Sequence, residues 1–371
     1  MSAPRIEVRL DRLDYNARTL VDRLASRGVA VTGIVKATLG TPEVARVMQR
    51  AGVAAIGDSR IENIERLRAA GVTGPMTLIR SPMPSQANRV VASADLSLNT
   101  EVEVLDRLSQ AAVEQGRPHG VVLMVELGDL REGILPSDLP TVARHALGLP
   151  GIVLRGIGTN LACQSGVAPD DRNMTELSDL VESLQSSLGI TIDLVSGGNS
   201  ANLAWLLGGG EVGRVNDLRL GESILLGREP LDRTVIEGLR TDVFTIVAEV
   251  IESKDKPTLP WGDVHQGAFG AVAGMADRGV RARVIVALGR QDVDPEGLTP
   301  PAGMAIIGSS SDHLLLDPGT AHLSTGDEVA FQLDYSALLR AMTSPFVDQV
   351  MLDPVGAGVG PTQAGTGSNR T

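Results

Sequence analysis

The sequence predicts an α/β protein in two parts, an N-terminal (β/α)8 barrel followed by a mostly β C-terminal domain. Three observations carry that prediction. Strand-like and helix-like segments alternate regularly from about residue 30 to residue 221. Several strand segments are near-continuous apolar runs, such as Gly120-Val-Val-Leu-Met-Val125, as expected of parallel strands buried on both faces. The chain of 371 residues suits a TIM-type barrel of ~250 residues plus a smaller domain.

Residues 5–10 alternate like a short half-buried strand, and 11–27 read as an amphipathic helix closed by Gly28. Eight barrel strands are expected at 30–37, 53–58, 75–81, 95–99, 120–127, 152–159, 191–196 and 217–221. Helices are expected at 41–51, 60–70, 84–92, 101–115, 136–147, 172–188 and 200–207. Helical periodicity fades after about residue 232. Short β-type runs at 242–251, 281–287, 303–307, 313–316 and 328–334 take over, separated by Gly/Pro-rich turns. The expected domains are therefore 1–235 for the barrel and 236–353 for the β domain. Residues 354–371 read as a disordered tail, because Gly, Pro, Thr and Ser leave few apolar anchors.

Composition excludes several classes. A net charge of −12 offers neither the basic footprint of a nucleic-acid binder nor a polybasic membrane patch. Cys163 is the only cysteine, so no intrachain disulfide framework exists; it reads as a buried inert thiol. No apolar run reaches the ~20 residues of a membrane span, and no secretory h-region opens the chain. The expectation is a soluble, cytoplasmic protein with a small-molecule partner and no metal.

The basic residues number 33, yet only Lys36, Lys254 and Lys256 are lysine. Lys254 and Lys256 lie in Ser-Lys-Asp-Lys-Pro, which reads as a polar loop. Lys36 ends the apolar run Val31-Thr-Gly-Ile-Val-Lys36, which reads as a buried strand. A lysine there either reaches solvent, pairs with a carboxylate, or serves as an amine nucleophile whose pKa burial lowers from ~10.4. Catalytic groups of a barrel sit at the C-terminal ends of its strands, and the other unusual residues fall there too. Arg131 follows the fifth strand, among Glu126, Asp129 and Glu132, where an ion pair is the plainer role. Asn160 ends the sixth. Ser196-Gly-Gly-Asn199-Ser200 ends the seventh and opens a helix, either as a Gly-rich turn or as an anion cradle. Arg219 and Gly221-Glu222 end the eighth, and an arginine pointing into a barrel mouth needs an acceptor.

Gly33-Ile-Val-Lys36-Ala, with Thr-Leu-Gly40 following, resembles the cofactor-lysine segment of the alanine-racemase fold. Asp129-Leu-Arg131-Glu-Gly, Asn199-Ser200 and Arg219-Leu-Gly221-Glu222 resemble its later motifs in order and spacing, over roughly residues 5–345. Four longer stretches resemble the ornithine-racemase branch: Gly57-Asp-Ser-Arg-Ile-Glu-Asn63, Gly158-Thr-Asn-Leu161, Gly289-Arg-Gln-Asp-Val293 and Ala341-Met-Thr-Ser-Pro345. The resemblance implies pyridoxal 5'-phosphate held by Lys36 as a Schiff base, with a homodimer sharing its active sites. It places Asn199, Ser200, Gly221 and Glu222 around the phosphate and Asn160 beside the cofactor. Arg219 would face the pyridine nitrogen, and Arg131 the cofactor's O3′ or the substrate carboxylate.

The departures from that pattern bear on the reaction. Gly40 stands where a phosphate-holding tyrosine is usual, and Met124 where a modified lysine is often found. The region Val264-His265-Gln-Gly-Ala-Phe269 lacks the tyrosine that alanine racemases bring from the partner subunit; the chain's tyrosines are Tyr15 and Tyr335. Racemisation needs an acid–base group on each face, so the second group is open among His313, His265, Tyr335 and Ser311. The segment Gly308-Ser-Ser-Ser311-Asp312-His313 resembles the one in related decarboxylases that binds a substrate's distal amine. Asp312 would then select a basic amino acid such as ornithine or lysine, with His265 nearby. Decarboxylation of a basic amino acid, racemisation of alanine or another amino acid, and a non-catalytic cofactor carrier are the competing readings. Arg219 argues against decarboxylation, whose enzymes in this fold usually place an acid at the pyridine nitrogen.

Overall fold

The computed structural model describes residues 2–267, 269 and 276–353; the expected tail, 354–371, lies outside the described residues. Strand β1 (Arg5–Arg9) leads into helix α1 (Leu10–Ala25). This helix buries Leu10, Leu13, Ala17, Leu20 and Leu24, the three-and-four spacing of one helical face. Eight parallel strands follow: β2 (Ala30–Ile34), β3 (Ala55–Asp58), β4 (Met76–Leu78), β5 (Leu96–Asn99), β6 (His119–Val125), β7 (Ile152–Thr159), β8 (Leu194–Ser196) and β9 (Asp217–Leu220). They pair in sequence order and close into a barrel through β9 and β2, as expected. All seven residues of β6 are buried, which is why its sequence shows no polar alternation.

One helix follows each barrel strand: α2 (Pro42–Arg50), α3 (Ile61–Ala69), α4 (Ala87–Ser93), α5 (Val102–Gln115), α6 (Leu139–Gly148), α7 (Asp171–Leu188), α8 (Asn202–Leu207) and α9 (Glu222–Leu226). The five residues of α9 are too few to display a helical period. Among the described residues no helix is long and apolar enough to cross a membrane.

The second sheet contains β10 (Phe244–Pro257), β11 (Val280–Val286), β12 (Leu298–Thr299), β13 (Ala305–Ser309), β14 (Leu314–Asp317), β15 (Glu328–Leu333) and β16 (Asp348–Leu352). Strand β1 joins this sheet, antiparallel to β10 and parallel to β16, so the chain's start crosses back over a division at residue 235. The join is also ionic. Buried Arg5 donates to both carboxylate oxygens of Glu328, at 2.6 and 2.8 Å, and that bond holds its guanidinium well above the ordinary arginine range.

Two sequence expectations need correction here. Ser253-Lys-Asp-Lys-Pro257 is strand, not loop, and pairs with β11 beyond a bulge at Val250/Glu252. This stretch is mostly exposed, so no buried face imposes apolar alternation. A helix, α10 (Tyr335–Thr343), also stands in the β domain. Asp334 caps it by accepting from Ala337 N at 2.9 Å, and it buries Ala337, Leu338, Ala341 and Met342.

Barrel strands β7 and β8 meet closely at Gly156, which pairs with Leu194. A Cβ there would lie 1.8 Å from the Leu194 carbonyl oxygen. Gly156→Ala is therefore expected to cost at least about 3 kcal/mol. Thermal melting would measure this, and an unchanged midpoint would contradict so close an approach.

Candidate active site

The C-terminal ends of the barrel strands gather most of the residues singled out in the sequence. Lys36 begins a short 3-10 turn just after β2. It is exposed at the mouth rather than buried in the strand. Its ammonium lies 5.9 Å from the centre of the Tyr335 ring, which α10 brings from the far end of the chain. Burial, then Glu222, Cys163 and Asp58, push the Tyr335 phenol well above its usual range. The hydroxyl therefore stays protonated at neutral pH and serves as a donor, not a base.

Arg219 points into the barrel and is buried. It donates to Ser196 Oγ at 2.5 Å, to the Thr159 carbonyl at 2.7 Å and to Asn160 Oδ1 at 3.4 Å. Ser196 in turn donates to Asp217 Oδ2 at 2.5 Å, and Thr32 donates to Asp217 Oδ1 at 2.7 Å. Burial pushes the Asp217 carboxyl up, against those two bonds and the nearby Arg219 charge. The three bonds of Arg219 leave part of its five-donor capacity for a ligand.

The loops after β8 and β9 lock together. Ser200 Oγ lies 3.0 Å from Ser223 Oγ and accepts from Ser223 N at 3.2 Å and Gly221 N at 3.4 Å. Asn199 donates to Asn160 Oδ1 at 3.1 Å and to the Leu161 carbonyl at 2.8 Å. Glu222 opens α9, and burial raises its carboxyl above the ordinary value. At the start of that helix Ser200 Oγ takes the place of a carbonyl one turn back for Ser223 N.

Arg131 is present in the loop after β6, the fifth barrel strand, but is paired with Glu132, the plainer of the two roles read from its surroundings. Asp129 fastens that loop to the one after β7 by accepting from the N–H groups of Cys163, Gln164 and Ser165. Cys163 is exposed, not the buried thiol expected, because this loop stands above the barrel rim.

The remaining candidates lie in the β domain. Ser311, Asp312 and His313 form the turn between β13 and β14. His313 Nδ1 and Asp312 Oδ1 are 2.8 Å apart, and that bond holds the Asp312 carboxyl below its usual value. The turn has a rigid backing. Arg290 N and Gln291 N donate to the Ser310 and Ser311 carbonyls at 2.9 and 3.0 Å. A Cβ on Gly289 would lie 2.3 Å from Asp312 N, so only glycine admits this contact. Buried Asp292 accepts from Gly289 N at 3.0 Å and from Ser344 Oγ at 3.3 Å. His265 is exposed in the β10–β11 connection. No described contact within one chain joins these four residues to Lys36.

Three buried polar atoms at the C-terminal ends of the barrel strands lack a partner among the described residues: Asp58 Oδ2, Asn99 Oδ1 and Asn160 Nδ2. Asp58 was not among the candidates. It ends β3, fully buried, and burial pushes its carboxyl up to about 6 despite bonds from Arg60 and Asn63 and the charge of Lys36. Its signal in the sequence was the acid inside Gly57-Asp-Ser-Arg-Ile-Glu-Asn63. A cavity of about 1100 Å³ lies at the opposite end of the barrel, beside Ala30, Pro75 and Gly120, and reaches Thr32 and Asp217 from that side. No cluster of three or more metal-ligating side chains occurs among the described residues.

The model of the family "Alanine racemase, N-terminal domain" matches residues 8–229. The chain belongs to this family. It is 38% identical to a lysine racemase of Thermotoga maritima over 354 residues, covering 94% of this chain and 99% of the relative. It is 35% identical to an ornithine racemase of Acetoanaerobium sticklandii over 355 residues, covering 94% and 99%. Among solved structures, alanine racemase from a D-cycloserine-producing Streptomyces lavendulae superposes with a TM-score of 0.77 at 21% identity, covering 96% of this chain and 99% of that one. D-threonine aldolase from Filomicrobium marinum superposes at 0.71 with 15% identity, covering 92% and 89%. At those identities the likeness is one of fold, and it spans the barrel and β domain alike.

The buried Asp58 carboxyl has a consequence for stability. Its folded pKa is raised from 3.8 to about 6, so folding favours the protonated form. The contribution is complete below the unfolded pKa and is lost as pH rises through the folded one. Asp58→Asn removes that cost. The variant is expected to be more stable than wild type at pH 8 by up to about 3 kcal/mol, with the difference closing toward about pH 4. Melting curves at the two pH values would test it; a variant less stable at pH 8 would contradict the burial cost.

Proposed function

We propose that this protein is a pyridoxal-phosphate-dependent racemase of a basic amino acid, ornithine or lysine. The observation that carries this is the end-to-end similarity to a lysine racemase and an ornithine racemase, with Lys36, Arg219 and the Ser200–Gly221 loops at one barrel mouth. The residues present fit the cofactor. Asn160 Nδ2 and Asp58 Oδ2 are unpartnered polar atoms at its place. Arg219 retains donors for the pyridine nitrogen. The Ser200 hydroxyl and the Glu222 backbone N–H suit a phosphate, with Gly221 N beside them in its long bond to Ser200 Oγ and Asn199 flanking them. The Tyr335 hydroxyl supplies a protonated donor where Gly40 has no side chain.

When bound, pyridoxal phosphate supplies an aldehyde for amines and a ring that spreads the charge left when the α-proton departs. The chain's own residues do the rest. Lys36 Nζ anchors the cofactor, then takes or returns a proton at the substrate Cα on one face. Arg219, a permanent cation, would hold the ring nitrogen and keep a proton from it, which would weaken the ring as a store of charge and favour proton return over decarboxylation. Arg131 is assigned to the substrate carboxylate, exchanging Glu132 for it.

The opposite face needs a second acid–base group. We assign it to His313, whose Nδ1 is engaged by Asp312, leaving Nε2 to exchange the proton. Ser311 beside it is the lesser candidate. Asp312 keeps further lone pairs for the substrate's side-chain ammonium. This turn comes to the mouth from a second copy in a homodimer. Trp261 is 96% exposed, and Leu259, Val264 and Phe269 are exposed near His265, an apolar surface that such a dimer would cover. An acidic chain with one cysteine suits the cytoplasm.

Borohydride treatment of the holoenzyme should fix the cofactor irreversibly to Lys36, located by peptide mass mapping. Lys36→Ala should lose this label and at least about 10³-fold in racemisation of L-ornithine or L-lysine. A label on another residue would sink the assignment. L-Alanine should be the poorer substrate, and Asp312→Asn should raise KM for the basic amino acids most.

Shared sites predict complementation. Lys36→Ala and His313→Ala chains, each inactive, should recover about a quarter of wild-type activity when mixed dimers form at random. No recovery, with mixed dimers shown by mass spectrometry, would place both groups on one chain.

A further inference from the structure

The ends of β2 and β3 lie side by side, with Ile34 opposite Gly57 and Val35 N donating to the Gly57 carbonyl at 3.0 Å. Lys36 and Asp58 each follow directly on that pairing. Around them the turn after Lys36 and the start of α3 are fastened to each other. Arg66 donates to the Leu39 carbonyl and to Asn63 Oδ1. Asn63 Nδ2 donates to Asp58 Oδ1 at 3.0 Å, as does Arg60 N at 2.8 Å. Gly40 lies against Asn63 so closely that a Cβ would come within 2.8 Å of the Asn63 Cβ, at a φ of +60°. One carboxylate oxygen is thus fixed by two bonds, and the other is fully buried with no partner among the described residues.

The geometry points to Asp58 as the positioning carboxylate of Lys36: it lies on the neighbouring strand end without an ion pair to the amine in this structure and acts through its charge, balancing Lys36 as the proton comes and goes. This deepens the racemase reading without depending on which amino acid is turned over. Four other groups bear on the pair. Tyr335 on α10 faces Lys36 and also feels Asp58. Glu222 at the start of α9 feels Lys36. Arg60 and Asn63 on the α3 side hold Asp58 Oδ1 by a backbone N–H and a side-chain amide. Of these, only Asp58 combines full burial with a free oxygen. A carboxyl near pH 6 is also poised to change charge in the range where the enzyme would work.

Three lysines make the test clean. The full chain, freed of cofactor, would be reductively methylated with ¹³C, and the Lys36 resonance assigned by its loss in Lys36→Arg. In wild type the Lys36 signal should show a second inflection near pH 6. In Asp58→Asn that inflection should vanish, because the titrating charge beside Lys36 has been removed. Lys254 and Lys256 should titrate as before. In the holoenzyme the same variant should lower kcat about tenfold with KM nearly unchanged.

A Lys36 titration identical in wild type and Asp58→Asn would overturn the proposal. So would a wild-type titration without the inflection, which needs no variant to fold. Loss of the inflection in a protein that never racemises any amino acid would leave the Lys36–Asp58 coupling standing and sink the racemase reading instead.

Discussion

Much of the barrel's organisation follows from one buried cation. Arg219 points inward on β9, where an unpaired guanidinium would be intolerable. Its acceptors come from β7 and β8, and the carboxylate that balances it, Asp217, sits on its own strand two residues earlier. Asp217 also accepts from Thr32 on β2. This chain of polar side chains crosses the weakest stretch of the backbone ladder. Strands β8 and β9 share a single paired position, Ser196 with Asp217. The Ser196–Asp217–Thr32 bonds therefore reinforce the backbone bonds of Asn216 N to the Val195 carbonyl and Gly197 N to the Asp217 carbonyl, and tie that edge to β2. A group that would meet the cofactor is thus also a fastening of the barrel, and substitutions of Asp217 would change both together.

A second constraint is the return of the chain's ends to one sheet. Strand β1 lies between β10 and β16, with Arg5 and Glu328 closing the contact. With β16 so placed, α10 lies over the barrel mouth and delivers Tyr335 to Lys36. A donor that the turn after Lys36 lacks, because Gly40 is pressed against Asn63, arrives from nearly 300 residues away. The same elements back the Ser311–His313 turn through Asp292 and Ser344.

These long-range dependencies mark the limit of what the sequence made legible. The barrel was legible because parallel strands buried on both faces must be apolar throughout, and the strand ends could be read for chemistry. Lys36, Asn160, Ser200 and Arg219 all lie at the C-terminal ends of barrel strands. Strand β10 ran past its expected end because an exposed hairpin needs no apolar pattern. Helix α10 was hidden by its short length within a β-rich region, and the partner of β1 by the distance along the chain. Asp58 was visible as a letter in a family-like segment, but its burial and its unpartnered oxygen are properties of the fold. Gly289 and Ser344 likewise looked like family marks; only the fold shows them supporting one turn.

The site finally divides its charges by how fixed they are. Arg219 keeps its charge at every physiological pH, so whatever it faces feels a constant field. The Asp58 carboxyl, by contrast, is raised to about 6 by burial, against hydrogen bonds from Arg60, Asn63 and Ser59 and the charge of Lys36. A reaction that removes a proton and returns it needs both kinds of group. In the proposed reaction the fixed cation would discourage a bound ring from storing charge for long, which would narrow the outcomes. The adjustable acid lets the lysine beside it change protonation without leaving an unbalanced charge at the rim. Placing the fixed charge inside the barrel and the adjustable one at the end of β3 keeps the two functions from cancelling, since each sits on a different wall of the same mouth.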